Sequence, residues 1–185
     1  MTLLTPCRAV AVLSLLLPLL FICLSIALSS WFNVYRNALS DLGHATRSSV
    51  ALIFNLGLSL GGVLIVVMGA RYLINTSRAM GMVVAILGYA LVLIAVFDEV
   101  YGSLHFWVSV LFFISLAILL CIYVATFKGF LRRVSATIAL ILALLMWVMH
   151  LAFKQPSGAA IPELVSIAAV TPFYIDIAFK KACRA

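Results

Sequence analysis

The chain has 185 residues, of which 66% are hydrophobic and only 9% are Asp, Glu, Lys or Arg. With a mean hydropathy of +1.30, this composition excludes a soluble globular domain and indicates an integral membrane protein. The formal net charge of +7 would suggest nucleic acid as the partner of a soluble protein. Here the cations follow the loops between apolar segments, so we expect membrane lipids as partners and no nucleic acid.

Six apolar segments are long enough to cross a bilayer core, which takes roughly 20 helical residues. They do not alternate polar and apolar residues as the strands of a membrane barrel do. We therefore predict an all-α fold, a compact bundle of six transmembrane helices in one domain. The predicted spans are residues 9–31, 49–72, 80–97, 104–127, 134–153 and 159–179.

Six spans place most of the Lys and Arg residues on one side of the membrane. The positive-inside rule makes this side cytoplasmic, so we predict a protein of the cell membrane with both termini in the cytoplasm. The cations on this side are Arg8, Arg71, Arg78, Lys128, Arg132, Arg133, Lys180, Lys181 and Arg184.

The four cysteines predict no disulfide framework. Cys7 and Cys183 lie near the predicted cytoplasmic face, Cys121 lies in a span close to that face, and Cys23 lies within the first span. None lies in an outer loop, where an oxidising compartment could pair it.

Small residues recur at helical spacing in the second and third spans. Gly62 and Gly69 belong to the second span, and Gly81 and Gly88 belong to the third. Small residues let helix backbones approach closely in lipid, so we predict that these two spans pack against each other.

Ionisable side chains concentrate at the predicted outer end of the bundle. Such groups are costly at a membrane edge, and the default interpretation of one is a functional site. We expect these side chains to converge there: Asp41 and His44 before the second span, Asp98 and Glu99 after the third, His105 at the start of the fourth, His150 at the end of the fifth, and Glu163 at the start of the sixth.

The stretch NALSDLGHATRSS, residues 37–49, is the most polar part of this outer end. If the second helix starts early, with Ser40 or Asp41 as its N-cap, then Asn37, Ser40, Asp41 and His44 form one polar stripe. Asn55 extends this stripe two turns into the membrane. The alternative is that Ser40 and Asp41 are an ordinary helix-capping pair.

Asp98 and Glu99 are adjacent and therefore point in different directions. Asp98 directly continues the third span and is the inward candidate, whereas Glu99 is expected in solvent. Ser103 is predicted to cap the fourth helix, with His105 in its first turn.

Several of these motifs resemble those of the six-helix membrane family catalogued as domain of unknown function 998. The matching motifs are S-D-L-G-H at residues 40–44, Phe54-Asn55, an acid ending the third helix, G-S-L-H at residues 102–105 and Pro162-Glu163. The resemblance covers nearly the whole chain and implies a shared site but no reaction. The chain is more distantly similar to the FRAG1/DRAM/Sfk1 group, some of whose members are implicated in handling lipids or lipid anchors.

The resemblance selects part of the polar set as family positions. His44 and His150 are particular to this chain. The positions carried over are Asn37, Ser40, Asp41, Gly43, Asn55, Asp98, Gly102, His105 and Glu163.

Two classes of function stay open. The first is non-catalytic: binding or transport of a lipid or small solute, or a role as a homo-oligomer or accessory subunit in a membrane complex, with no cofactor. Its ligand-binding residues would be Asn37, Ser40, His44, Asn55, Asp98, His150 and Glu163.

The second class is an enzyme that hydrolyses or otherwise modifies lipid headgroups, in which Asp41 and His105 act as an acid–base pair. Zinc would need ligands such as Asp41, His44, His105 and His150 to activate a water molecule. A further alternative is b-type haem held between His105 and His150.

Overall fold

The computed structural model describes residues 5–183, which form six long helices. These are α1 Pro6–Ala27, α2 Ala51–Val67, α3 Arg78–Val96, α4 Ser103–Thr126, α5 Phe130–Phe153 and α6 Ala160–Ile177. Turns of π-helix extend α2 over Met68–Leu73 and α6 over Ala178–Ala182. All six helices are long and apolar enough to cross a membrane. The prediction of a helical, multi-pass membrane protein is confirmed.

The alternating helix directions give the bundle two chemically different ends. The basic end holds residues 6–8, 68–78, 126–133 and 178–183, and the acidic end holds residues 28–50, 97–102 and 154–163. Asp176 and Lys180 form an ion pair close to the basic end. Arg184, which was predicted to add to the basic end, lies outside the described residues.

The second helix does not start early, since residues 39–43 form a separate 3-10 helix and α2 begins at Ala51, close to the start of the predicted span 49–72. The condition for one continuous polar stripe is therefore not met. One predicted helix cap is wrong. Ser103 does not cap α4 but is its first residue. Gly102 precedes it with a positive φ of 54°, a conformation that glycine adopts without strain.

Helices α2 and α3 pack tightly because glycines lie at their contact surface. A Cβ atom added to Gly62 would lie 2.7 Å from the carbonyl oxygen of Gly88, and one added to Gly88 would lie 2.6 Å from the carbonyl oxygen of Gly62. A Cβ added to Gly69 would lie 2.5 Å from the backbone nitrogen of Ala85. The predicted close packing of α2 on α3 is confirmed.

Helix α5 packs far more loosely than the others. Of its 24 residues, Ala136 and Ala143 are the buried ones. It lies at the edge of the bundle, where it contacts α4 on one side and α6 on the other. Most of its side chains therefore face the surrounding lipid.

The prediction that the cysteines form no disulfide is wrong. Cys7 and Cys183 are joined by a disulfide, with their Cα atoms 5.5 Å apart. The sequence placed both residues at the same end of the bundle, but it could not show that the start of α1 adjoins the turn after α6. This contact is tertiary, and it links residues 176 positions apart.

We predict that Gly88→Ala lowers the free energy of unfolding by about 1–3 kcal/mol, because the added methyl group overpacks a backbone contact that cannot move aside. Denaturant titration of the protein in detergent micelles measures this loss. Ala125→Val also adds methyl groups, but to an exposed position of α4, and should leave stability nearly unchanged. Equal losses in the two variants would contradict the packing assignment.

A protease site inserted in the connection between α4 and α5 tests the link between the chain ends. After cleavage, we expect the two fragments of the oxidised protein to migrate together on a gel and to separate when dithiothreitol is added. Fragments of Cys7→Ser should separate without reductant. Separation of the wild-type fragments after the purified protein has been treated with an oxidant would show that the two cysteines do not pair.

Candidate functional site

The connection between α1 and α2 is folded against the start of α6 at the acidic end. The backbone N–H of Ala160 donates to the carbonyl oxygen of Asn37 at 2.9 Å. The backbone N–H of Leu39 donates to Oε2 of Glu163 at 2.7 Å. Leu39 and Glu163 are 4% and 9% exposed. A buried side chain on α6 therefore fixes the 3-10 helix in place.

Asp41, within the same connection, and Asn55, near the start of α2, also hold this 3-10 helix. Oδ2 of Asp41 accepts hydrogen bonds from Nδ2 of Asn37 and from the backbone N–H of Ala38, both at 2.9 Å. Nδ2 of Asn55 donates to the carbonyl oxygen of Gly43 at 2.9 Å. Residues predicted to form a stripe along one helix thus lie near one another, but their polar atoms stabilise a short turn.

Two pockets flank the 3-10 helix. The outer pocket has a volume of about 280 Å³ and is lined by Trp31, Asn37, Asp41, His44 and Arg47. The second, which we call the α4–α5 pocket, has a volume of about 560 Å³, within the usual range for ligand sites. Its polar lining residues are Ser40, Glu99, His105, Ser109, His150 and Glu163.

Glu99 belongs to the α4–α5 pocket, so the expectation that it lies in solvent is wrong. Oγ of Ser40 donates to Oε1 of Glu99 at 2.6 Å. Asp98 is buried, as predicted, but its Oδ1 accepts from the backbone N–H of Val100 at 2.8 Å and caps a turn of 3-10 helix. Asp98 lines neither pocket. The sequence signal was an acid, Asp98, in a capping position directly before Glu99. It could have assigned the capping role to Asp98 and the pocket to Glu99.

The pKa of Glu99 is raised to about 7, chiefly by burial and also by the neighbouring Asp41 carboxyl group. The Ser40 hydroxyl and the Arg47 guanidinium act in the opposite direction and limit this shift. Glu99 therefore exchanges a proton near neutral pH, although a glutamate in water is ionised there.

The two histidines of the α4–α5 pocket are oriented by backbone carbonyl groups. Nδ1 of His105 lies 2.7 Å from the carbonyl oxygen of Phe97, and Nδ1 of His150 lies 2.9 Å from that of Pro156. A carbonyl oxygen can only accept, so Nδ1 carries the hydrogen in both rings. Nε2 of each neutral ring is then an acceptor. That of His105 lies 3.4 Å from the hydroxyl oxygen of Ser109.

The α4–α5 pocket becomes apolar with depth. On α4, the lining residues His105, Ser109, Phe113 and Ala117 recur every four residues. At 1.5 Å per residue they extend over about 18 Å, more than half of a hydrocarbon core of about 30 Å. Val110, Ile114 and Leu144 complete the deeper walls. The pocket thus combines a polar mouth with an apolar interior.

The structure divides the predicted site residues among three locations. Ser40, His105, His150 and Glu163 meet in the α4–α5 pocket, whereas Asn37, Asp41 and His44 line the outer pocket. Asn55 and Asp98 line neither pocket.

This division separates the residues considered for zinc but keeps together the pair considered for haem. The set considered for zinc is split between the two pockets, and residues 5–183 contain no group of three or more His, Cys, Asp or Glu side chains placed to hold a metal ion. His105 and His150, the pair considered for haem, line the same pocket, and haem binding there stays a prediction.

The comparison with known proteins gives a family and no activity. The family model described as "Protein of unknown function (DUF998)" matches residues 12–179. No curated protein and no solved structure matches the chain.

We predict that the Glu99 carboxyl group titrates near pH 7, because burial disfavours its charged form. The carboxylic acid band in infrared spectra should decline around this pH in the wild type, and Glu99→Gln should lose the part of the decline that comes from Glu99. Titration of this band near 4.5 would contradict the burial of Glu99.

The raised pKa of Glu99 also makes the stability of the protein depend on pH. This pKa lies above its ordinary value of 4.5. The contribution of Glu99 to the free energy of unfolding is therefore fully present below pH 4.5 and is lost as the pH rises through about 7. Glu99→Gln should remove this part of the pH dependence of thermal unfolding.

Proposed function

The chain belongs to the DUF998 protein family, and from its α4–α5 pocket we propose that it is a non-catalytic binding protein for a membrane amphiphile. The observation that carries the proposal is the gradient inside this pocket. Hydrogen-bonding groups lie at the acidic end of the bundle, and apolar walls continue from them towards the membrane centre. A molecule with a polar head and a hydrocarbon chain matches both parts.

The packing of α5 supports entry of such a molecule from the lipid. The pocket lies between α4 and α5, and its wall residues Phe106 and Ile114 are 54% and 52% exposed. Helix α5 buries few side chains, so a small displacement of this helix breaks few contacts. An amphiphile could therefore enter sideways, with its chain remaining in an apolar environment.

The contacts of Asp41 favour binding over hydrolysis. An acid–base pair needs both groups within hydrogen-bond reach of one reacting atom. Asp41 faces the outer pocket, and its carboxylate already accepts two hydrogen bonds from Asn37 and Ala38. His105 faces the α4–α5 pocket. The geometry therefore gives no support to joint action of Asp41 and His105.

The proposal includes an orientation, in the cell membrane with both termini in the cytoplasm. Among residues 5–183, the acidic end carries only Arg36, Arg47 and Lys154 as Lys or Arg residues, and the others lie at or near the basic end. In this orientation cytosolic reductants would keep Cys7 and Cys183 as neighbouring thiols. The protease-cleavage experiment therefore also reports the orientation when thiols are alkylated before cell lysis. Fragments that then separate without reductant indicate that both cysteines were in the cytoplasm.

Filling the apolar part of the pocket tests the proposed function. Ala117 lines the pocket on α4, and Ala125 is exposed on the same helix and does not line it. We expect Ala117→Phe to reduce labelling by a photoactivatable alkyl-chain probe by about tenfold or more, because the ring occupies the space of the chain. The matched variant Ala125→Phe should label like the wild type.

The residues that the probe labels show whether it binds in the pocket. Cross-linked peptides located by mass spectrometry should come from the walls formed by α4 and α5. Equal labelling of the wild type and Ala117→Phe, or labelling spread over all lipid-facing helices, would overturn the proposal.

A further inference from the structure

The α4–α5 pocket has an unusual balance of charge for a lipid site. Two carboxyl groups, those of Glu99 and Glu163, line its mouth, and no Lys or Arg among the described residues lines it. The Arg47 guanidinium lowers the pKa of Glu99, but Arg47 lines the outer pocket instead. A phosphate group placed in this mouth would face two acids without a countercharge.

Glu163 presents an unused acceptor to this pocket. Its side chain is nine-tenths buried, and Oε2 accepts from the backbone N–H of Leu39. Within residues 5–183, the structure shows no hydrogen-bond donor for Oε1. Glu163 lines the pocket, so this oxygen can accept a hydrogen bond from a molecule bound there.

The histidines increase the excess of acceptors. Backbone carbonyl groups hold the Nδ1 hydrogens of His105 and His150, which leaves Nε2 of each neutral ring with a lone pair. The Ser40 hydroxyl is already used as a donor to Glu99. The mouth of the pocket is therefore complementary to a group that donates several hydrogen bonds.

Aromatic rings lie just below this mouth. The rings of Phe113 and Trp147 have their centroids 4.7 Å apart, and the imidazole of His150 lies edge-on to Trp147 at 6.1 Å. Nε1 of Trp147 donates to Oγ of Ser166, which fixes the orientation of the indole ring. The faces of aromatic rings attract cations, and this attraction is strongest where water is excluded.

We propose that the α4–α5 pocket recognises an ammonium group carried on a hydrocarbon chain, with Glu99 and Glu163 as the counter-charges. This inference rests on the proposed function, since the chain is held by the apolar walls, and it adds the class of headgroup. The ammonium group supplies donors to Glu163 Oε1 and to Nε2 of His150, for which the described residues show none, whereas Nε2 of His105 has the Ser109 hydroxyl as a partner. Its positive charge offsets the cost of two carboxyl groups in one buried site.

The test uses the full chain in phosphatidylcholine nanodiscs, with dodecylamine and dodecanol as probes of equal chain length. We expect calorimetry to show dodecylamine binding about ten- to a hundredfold more tightly than dodecanol, the range expected for charge-assisted hydrogen bonds. Glu99→Gln and Glu163→Gln should each reduce this preference by about tenfold or more. Binding of dodecanol should change little in both variants.

Asp176→Asn is the matched control, because it removes a carboxylate close to the basic end and should leave the preference intact. Thermal unfolding of each variant shows whether it is folded. Should Glu163→Gln fail to fold, Glu99→Gln decides the outcome, because its amide oxygen can still accept from Ser40.

The outcomes separate the two proposals. Equal binding of amine and alcohol, both reduced by Ala117→Phe, would overturn the ammonium site and leave amphiphile binding standing. Tighter binding of dodecyl phosphate than of dodecylamine would also overturn the ammonium site. Absence of binding by every chain-bearing probe would overturn the proposed function itself.

A competition experiment identifies the natural source of the ammonium group. Displacement of dodecylamine when phosphatidylethanolamine is added to the nanodiscs would indicate a membrane lipid, and lack of displacement would indicate a free amphiphilic amine. Both results support an ammonium site. Butylamine binding as tightly as dodecylamine would show that the chain is not recognised, which contradicts the proposed function.

Discussion

The hydrogen bond from the backbone of Leu39 to the carboxyl group of Glu163 determines how the acidic end is built. Both groups are buried, and each would lose hydrogen bonds to water without gaining a partner if the other were absent. The contact fastens the α1–α2 connection to the start of α6, 124 residues later in the chain. The 3-10 helix that separates the two pockets depends on this attachment.

This attachment also determines which polar residues meet. With Leu39 held against α6, Ser40 reaches Glu99 on the connection between α3 and α4, while Asp41 turns back to its own backbone. Adjacent residues of one short helix therefore contribute to different pockets. The proposed binding of an ammonium group uses the side that contains Ser40 and leaves Asp41 with a structural role.

The bundle combines a tight half with a loose half, and the difference follows from side-chain size. Backbone contacts between glycines hold α2 against α3, and the Cys7–Cys183 link joins α1 to the end of α6. Helix α5 has no comparable contact surface and buries two alanines. The pocket lies beside the loose helix, where entry of a hydrocarbon chain disturbs little packing.

Hydrophobic length, charge and residue size act locally, and they were enough to predict the six helices, the separation of basic and acidic ends, and the close packing of the second span on the third. The sequence also predicted a site at Ser40, His105, His150 and Glu163, and these four residues line one pocket. Three features needed the folded structure: Glu99 lines this pocket in place of Asp98, Asp41 lines the other pocket, and Cys7 meets Cys183. Each of these depends on which distant segments become neighbours, and helical periodicity carries no information about contacts between segments far apart in the chain.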